Sequence, residues 1–255
     1  MTSQLTPALY LIPCTLGDTS VEQVLPPYNR EVILQLRHFI VEEVRTARRF
    51  LKAVDKAIDI DALTFSPMGK HADAALFRSY LQPLVQGESI GIISEAGCPA
   101  VADPGADIVA IAQTLGLRVV PLVGPSSIIL AVMASGMNGQ SFAFNGYLPI
   151  DSGQRTATIK RLEARAWAED QTQLFIETPY RNAQMHAELL RTLRPDTRLC
   201  VAAGLTTSDE WVRTLTVAQW KKEALPDLHK TPAIFLIHRG AFHKTNRNTG
   251  VTSKH

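Results

Sequence analysis

"SIGIISEAGCPAVADPGADIVAIAQTLG", residues 89 to 116, decides the fold. It opens on a short apolar run and breaks at Ser94 into a loop containing Gly97, Gly105, Pro99 and Pro104, with Glu95 and Asp103 among them. It resumes at Ala106 with the spacing of a helix. A buried strand, a turn of small and rigid residues and a helix together form a βα unit whose loop can cradle a ligand. The loop is not a dinucleotide fingerprint, because no G-x-G-x-x-G follows this strand or the first one. No G-x-x-x-x-G-K-[ST] is present either, and "MGKH" (68 to 71) is only a fragment of one.

The pattern extends in both directions. "ALYLIP", "FIVEEV", "LTFSPM", "SIGIIS" and "RVVPLV" read as strands, separated by helical stretches such as "NREVILQLRH" and "HADAALFRSYLQPLVQGE". Continuous apolar strands alternating with helices predict a parallel sheet covered on both faces. Further on, "FAFNGYLP", "QLFIET", "RLCVAAGL", "EWVRTLT" and "AIFLIH" read as strands. Helices "GQRTATIKRLEARAWAE" and "RNAQMHAELLRTL" fall among the earlier ones, and the last strands are adjacent. That predicts a mixed sheet. The expected architecture is two α/β domains, 1 to 118 and 119 to 239, with a ligand cleft between them. The tail at 240 to 255, with Lys244, Arg247 and Lys254 and no acidic residue, reads as disordered and basic.

Composition excludes more than it selects. Hydrophobic residues make up 45% of the 255, enough for buried cores, and 26 basic residues against 24 acidic permit an acidic partner without requiring one. Cys14, Cys98 and Cys200 are far apart, with no C-x-x-C and no histidine at ligand spacing, so no metal is expected and a reducing cytoplasm fits. The stretch between Arg118 and Asp151 carries no charge. Its centre, Gly124-Pro125-Ser126-Ser127, breaks it into a buried β-loop-α unit, so no membrane span is expected. G-x-S-x-G and H-E-x-x-H are absent, which lowers hydrolase and metalloenzyme readings.

What remains is a series of turns: "PCTLGD" (13 to 18), "SEAGCPAVADPG" (94 to 105), "VGPSS" (123 to 127), "ETPYRN" (177 to 182), "AAGLTT" (202 to 207) and "KTPAIF" (230 to 235). Each begins or ends a strand. In an open α/β architecture such turns gather at strand ends and line one crevice.

In this order the turns resemble the tetrapyrrole methylase superfamily and, within it, the ribosomal RNA small-subunit methyltransferase I family. "SEAGCPAVADPG" is similar to that family's S-D-A-G-T-P-x-x-S-D-P-G, and "IVEEVRTARRFL" to its A-E-D-T-R-x-T-x-x-L-L. "VGPSS" and "NGYLP" continue in register with its G-P-S-A and G-F-L-P, and "ETPYR" resembles E-S-P-H-R. "TLGD" stands where the family has T-P-I-G-N, Val44 interrupts E-D-T-R, and "AAGLTT" replaces A-R-E-L-T-K. "TPAIFLIH" is closer to the tetrapyrrole-acting branch. These departures bear on the acceptor more than on the cofactor.

The resemblance implies an S-adenosylmethionine-dependent methyltransferase acting on a ribose 2′-hydroxyl of small-subunit rRNA, working as a homodimer. A methyltransferase for a tetrapyrrole-like small molecule and a non-catalytic S-adenosylmethionine-binding protein stay open as alternatives. It also implies that Gly97, Cys98, Val101 and Ala102 hold the methionine and ribose parts, that Ser126 and Ser127 add polar contacts, and that Ala203, Pro232 and Ala233 flank the adenine. A ribose hydroxyl must lose its proton, so carboxylates at loop and strand ends are candidate bases: Glu95, Asp103, Glu43 and Asp18, the last also a candidate substrate contact. Glu177 is expected to orient its neighbours. Among the basic residues Arg48, Arg49, Lys160, Arg161 and Arg165, and with them Arg45 and Arg155, the last two match basic positions of the family and are the preferred substrate contacts. His71, His186 and His229 stand alone and read as surface histidines.

Overall fold

The computed structural model describes residues 5–69 and 73–240. All of the expected tail except Gly240 lies outside these, as does His71. In the first half, β1 (Leu9–Ile12) leads through α1 (Val21–Val24) and α2 (Pro27–Ile33) to β2 (His38–Val41). Next, α3 (Val44–Val54) leads to β3 (Thr64–Pro67), and α4 (Phe77–Tyr80) and α5 (Gln82–Val85) lead to β4 (Ile90–Ile93). Finally α6 (Ala106–Thr114) leads to β5 (Val119–Pro121). The five strands form an all-parallel sheet in the order β3-β2-β4-β1-β5.

Alternation along the strands explains why both faces are covered. Leu9, Ile40, Ile90 and Ile92 pack with Ile108 and Ala112 of α6 on one side. Tyr10, Ile12, Phe39, Val41 and Ile93 pack with Val32 and Ile33 of α2 and Ala47 and Leu51 of α3 on the other. The single long helix suggested by residues 71 to 88 does not form. A 3-10 turn at Ala74–Leu76 and the two short helices α4 and α5 stand in its place. Pro83 in the first turn of α5 lacks an N–H to bond to the preceding turn, so the chain restarts there.

The second sheet is mixed. α7 (Ser127–Ser135) precedes β6 (Phe142–Tyr147), α8 (Ser152–Ala168), β7 (Thr172–Ile176) and α9 (Asn182–Thr192). Then come β8 (Arg198–Ala203), β9 (Trp211–Thr216), α10 (Val217–Trp220) and β10 (Ala233–His238). The order is β6-β7-β10-β8-β9, with β6 and β7 parallel and the other neighbours antiparallel. Leu199, Val201, Phe175 and Phe235 pack against Ile159 and Leu162 of α8 and Met185 and Leu189 of α9. Cys200, Ala202, Leu174 and Ile234 face Ala131 of α7. The uncharged stretch is thus β5, a loop, α7 and β6. Among the described residues no helix is long and apolar enough to cross a membrane. A division drawn by sheet membership falls after Pro121 rather than at Arg118, because β5 pairs with β1.

Gly91 lies mid-strand in β4, and the sheet needs its missing side chain. A Cβ there would stand 2.6 Å from Ile12 Cδ1 and 3.0 Å from both Leu36 Cδ1 and Phe39 Cδ1. Gly91→Val should therefore destabilise the fold by about 1 to 3 kcal/mol through overpacking, read as a lower urea midpoint with an unchanged slope.

Candidate functional site

β1 and β4 are parallel neighbours, with Ile12 opposite Ile93, so the loops that follow them leave at the same edge of the sheet. There the Cys14 N–H donates to the Gly97 carbonyl at 2.9 Å, an isolated bridge that pins one loop to the other. The 94–105 loop is tightly coiled: Gly97, Ala100, Ala102 and Gly105 all have positive φ, at 67°, 65°, 62° and 117°. An L-residue in this region costs on the order of 1 to 2 kcal/mol, so the two alanines hold strain at this edge. Gly97 has a second constraint, since a Cβ would come within 3.1 Å of Leu16 Cδ2 and 3.5 Å of the Pro125 carbonyl.

The second half closes over this edge. Because β10 runs antiparallel to β7 and β8, its start lies beside their ends, with Ile234 opposite Ile176 and Ala233 opposite Ala203. The two halves enclose a cavity of about 320 Å³, near the lower end of the range for small-molecule sites. They also meet at its side: Gly17 lies so close to the 204–207 turn that a Cβ would stand 2.7 Å from Thr207 Cγ2.

Most of the expected site residues line this cavity. Gly97, Cys98, Val101, Ala102, Ser126, Ser127, Pro232 and Ala233 do so, as do the carboxylates Glu95 and Asp103. Ser126 also caps α7, its hydroxyl accepting from the Ile129 N–H at 3.5 Å. Ala203 does not line it. Its side chain is packed in the opposite core, and Ala202 and Gly204 face the cavity instead, a one-residue difference that flips the face of a strand. Glu43 caps α3, accepting from the Arg45 N–H at 3.2 Å, and neither residue lines the cavity. Asp18 is exposed and lines a neighbouring depression.

Arg155 stands apart from any mouth. Its side chain is 11% exposed, paired with Glu188 at 2.7 Å and donating to the Ile150 carbonyl at 2.7 Å, so it ties α8 to α9. His186 is also not a surface residue. It is buried on the inner side of α9, edge-on to Trp220 at 4.9 Å, and burial lowers its pKa. His229 is exposed beside Tyr180.

Residue reading missed the apolar wall: Leu16, Phe144, Tyr147, Ile176 and Leu205. Phe144 and Tyr147 lie in β6, where a residue facing a cavity reads the same as one facing a core. Gly17 and Thr207 were legible only as members of turns. Glu177 lines the cavity as well, its carboxylate accepting from the Thr178 N–H at 2.7 Å and pairing with Arg181 at 3.6 Å, which suits an orienting part.

The electrostatics of the rim are set by burial. Asp103 has a raised pKa, first from desolvation and then from the neighbouring Glu95 charge. The Cys98 thiol is raised by burial and by Asp103. Cys14, buried and facing both carboxylates, is pushed up to about 12. Among the described residues no group of three or more His, Cys, Asp or Glu could hold a metal ion. The rim offers a proton acceptor beside a pocket of small residues, backbone and apolar wall.

A family description, tetrapyrrole (corrin/porphyrin) methylases, matches residues 16 to 220. The chain belongs to that family. Among its curated relatives, a ribosomal RNA small subunit methyltransferase I of Vibrio cholerae is 27% identical over 215 residues, covering 84% of this chain and 70% of the relative. The protein of the same name from Xylella fastidiosa is 32% identical over 222 residues, covering 87% and 76%. The crystal structure of the methyltransferase CobJ shares the fold, with a TM-score of 0.56 at 14% identity over 86% of this chain and 89% of that one. The methylase fold accounts for both sheets.

The thiolate is the reactive form of cysteine, so raised thiol pKa values slow alkylation. At pH 7.5 iodoacetamide should label Cys98 more slowly than free cysteine. Cys14, and Cys200, which burial pushes up to about 11, should react only after unfolding, as read by peptide mass mapping.

Proposed function

We propose that the chain is an S-adenosylmethionine-dependent methyltransferase acting on a ribose hydroxyl of small-subunit rRNA. The observation that carries this reading is the cavity itself. The coiled loop from Glu95 to Asp103, the Ser126-Ser127 turn and the Pro232–Ile234 segment converge on one space with two carboxylates at its rim. The names of the relatives support RNA as the acceptor, and an rRNA substrate puts the enzyme's work in the cytoplasm.

The residues present fit the cofactor. Small residues at 96, 97 and 102 bring backbone to the cavity without a bulky side chain in the way, as a ligand with ammonium, carboxylate and ribose groups requires. Ser126 and Ser127 supply hydroxyls, while Ala202, Leu205 and Ile234 supply the apolar surface that a purine needs. When bound, the cofactor supplies a methyl group on a positively charged sulfur. The remaining work falls to the chain. The strained loop is built before any ligand arrives, which reduces the ordering cost of binding. Asp103 accepts the proton of the attacking hydroxyl, and Glu95 beside it raises its proton affinity. Glu177, held by Arg181 and the Thr178 N–H, fixes the opposite wall.

We also propose a homodimer. Val123, Ile129 and Met133 are exposed on and just before α7, Met133 at 73%, and a second copy would cover this apolar surface. Sedimentation at micromolar concentration should give a dimer, and Met133→Lys should shift it towards monomer.

The cofactor is tested by calorimetric titration with S-adenosylhomocysteine. The wild-type chain should bind it without added metal, and Gly97→Arg should not, whereas a folded wild-type chain giving no heat with either form of the cofactor would sink the reading. The base is tested by pH. A raised pKa means that Asp103 is still protonated, and idle, at pH values where an ordinary carboxylate of about 4 is ionised. The acid limb of kcat should lie above that range. Asp103→Asn should remove this limb and lower kcat by about 10² to 10⁴. The same raised pKa makes protonated Asp103 the better-tolerated form in the folded state, so its contribution to stability is lost as pH rises through that value. Asp103→Asn should therefore unfold no more easily than wild type at pH 7.

A further inference from the structure

A second cavity, of about 350 Å³, lies on the first-half side of the divide. Thr15 and Asp18 of the loop after β1 line one side of it, and Thr46, Arg49 and Phe50 of α3 line the other. Glu95 lines this cavity and the first one alike, so the two meet at that residue. Cys14 reports the same adjacency. Cys14 lines the second cavity, and its thiol, raised first by burial, is raised further by Glu95 and by Asp103, which lines the first cavity.

We propose that the second cavity holds the methyl acceptor as a single nucleotide turned out of an RNA strand, with its sugar at Glu95, its base against Phe50 and its phosphate at Arg49. This rests on the methyl-transfer reading above and adds to it where the acceptor binds and which residues select it. The chemistry of the wall is that of a nucleotide. Among the described residues it provides one aromatic ring for a base, threonine hydroxyls and the carboxylates of Asp18 and Glu95 for sugar and base edges, and one guanidinium for a phosphate. Among the described residues no ion pair engages Arg49, so its charge is available.

Charge disfavours a tetrapyrrole inside this cavity. A macrocycle with several peripheral carboxylates needs several cations around it, and among the described residues Arg49 is the one cation lining this cavity. The flanking surface suits a longer strand instead. Arg45, Arg48 and Lys52 are exposed along α3, and the Arg48 guanidinium lies over the Phe65 ring at 5.4 Å. Such residues position a phosphate backbone without reading sequence.

The test uses the full chain, radiolabelled S-adenosylmethionine and small ribosomal subunits from a strain lacking this gene, with Arg49→Glu and Thr46→Trp as variants. Arg49→Glu is a change at an exposed position and should raise KM for the subunit at least tenfold, with kcat within twofold and S-adenosylhomocysteine affinity unchanged. Thr46→Trp fills the cavity and should abolish methyl transfer while keeping that affinity. If Thr46→Trp fails to fold, Arg49→Glu decides alone. Wild-type KM and kcat in Arg49→Glu, with the wild-type enzyme active on subunits, overturn the acceptor cavity and leave the methyltransferase standing. A wild-type chain that binds no cofactor overturns both.

Discussion

One hydrogen bond organises the cavity: the Cys14 N–H to the Gly97 carbonyl, 2.9 Å long, between loops that leave adjacent parallel strands. It acts where the sheet ends and neither loop has a ladder to follow. With it in place, Leu16 packs under Gly97, Cys98 is set near the Pro125 carbonyl at 3.4 Å, and the 123–127 turn is drawn to the same edge. The loops after β1 and β4 and the turn after β5 form one floor. The second half needs only to present the start of β10 beside the ends of β7 and β8, which antiparallel pairing does without further devices.

The floor is costly to the fold. Two alanines have left-handed backbone, and a carboxylate with a raised proton affinity stands beside another carboxylate. None of this is required by either core, and the cores on the two faces of each sheet carry it. Two of the five described non-glycine residues with positive φ, Ala100 and Ala102, fall in this loop, so backbone strain and a perturbed carboxylate coincide at one edge of the cavity.

The strands and their order of helices were legible because β1, β2 and β4 are continuous apolar runs that cannot be anything but buried. Most of the cavity was legible in the turns: "SEAGCPAVADPG" stands out as a loop of small and rigid residues after a buried strand, and its resemblance to a family motif pointed to which residues line the cavity. Three kinds of residue were not. Ala203 and Ala202 are identical in type, and their opposite faces depend on a register no local pattern records. Arg155 looks like any helical surface cation until α9 supplies Glu188 across from it. Phe144 and Tyr147 line the cavity, Phe144 while also packing on the core, and a single chain's composition does not distinguish the two roles.

The near-contact of Gly17 with Thr207 joins residues 190 positions apart, in loops that follow strands of different sheets. It makes the two halves non-interchangeable. A first half carrying a side chain at position 17 meets the Thr207 methyl, and the 207 side chain must shift or shrink to admit it. Hybrids that splice this first half onto the second half of another family member thus inherit a seam at that point, where the space left by Gly17 has to match the side chain at 207.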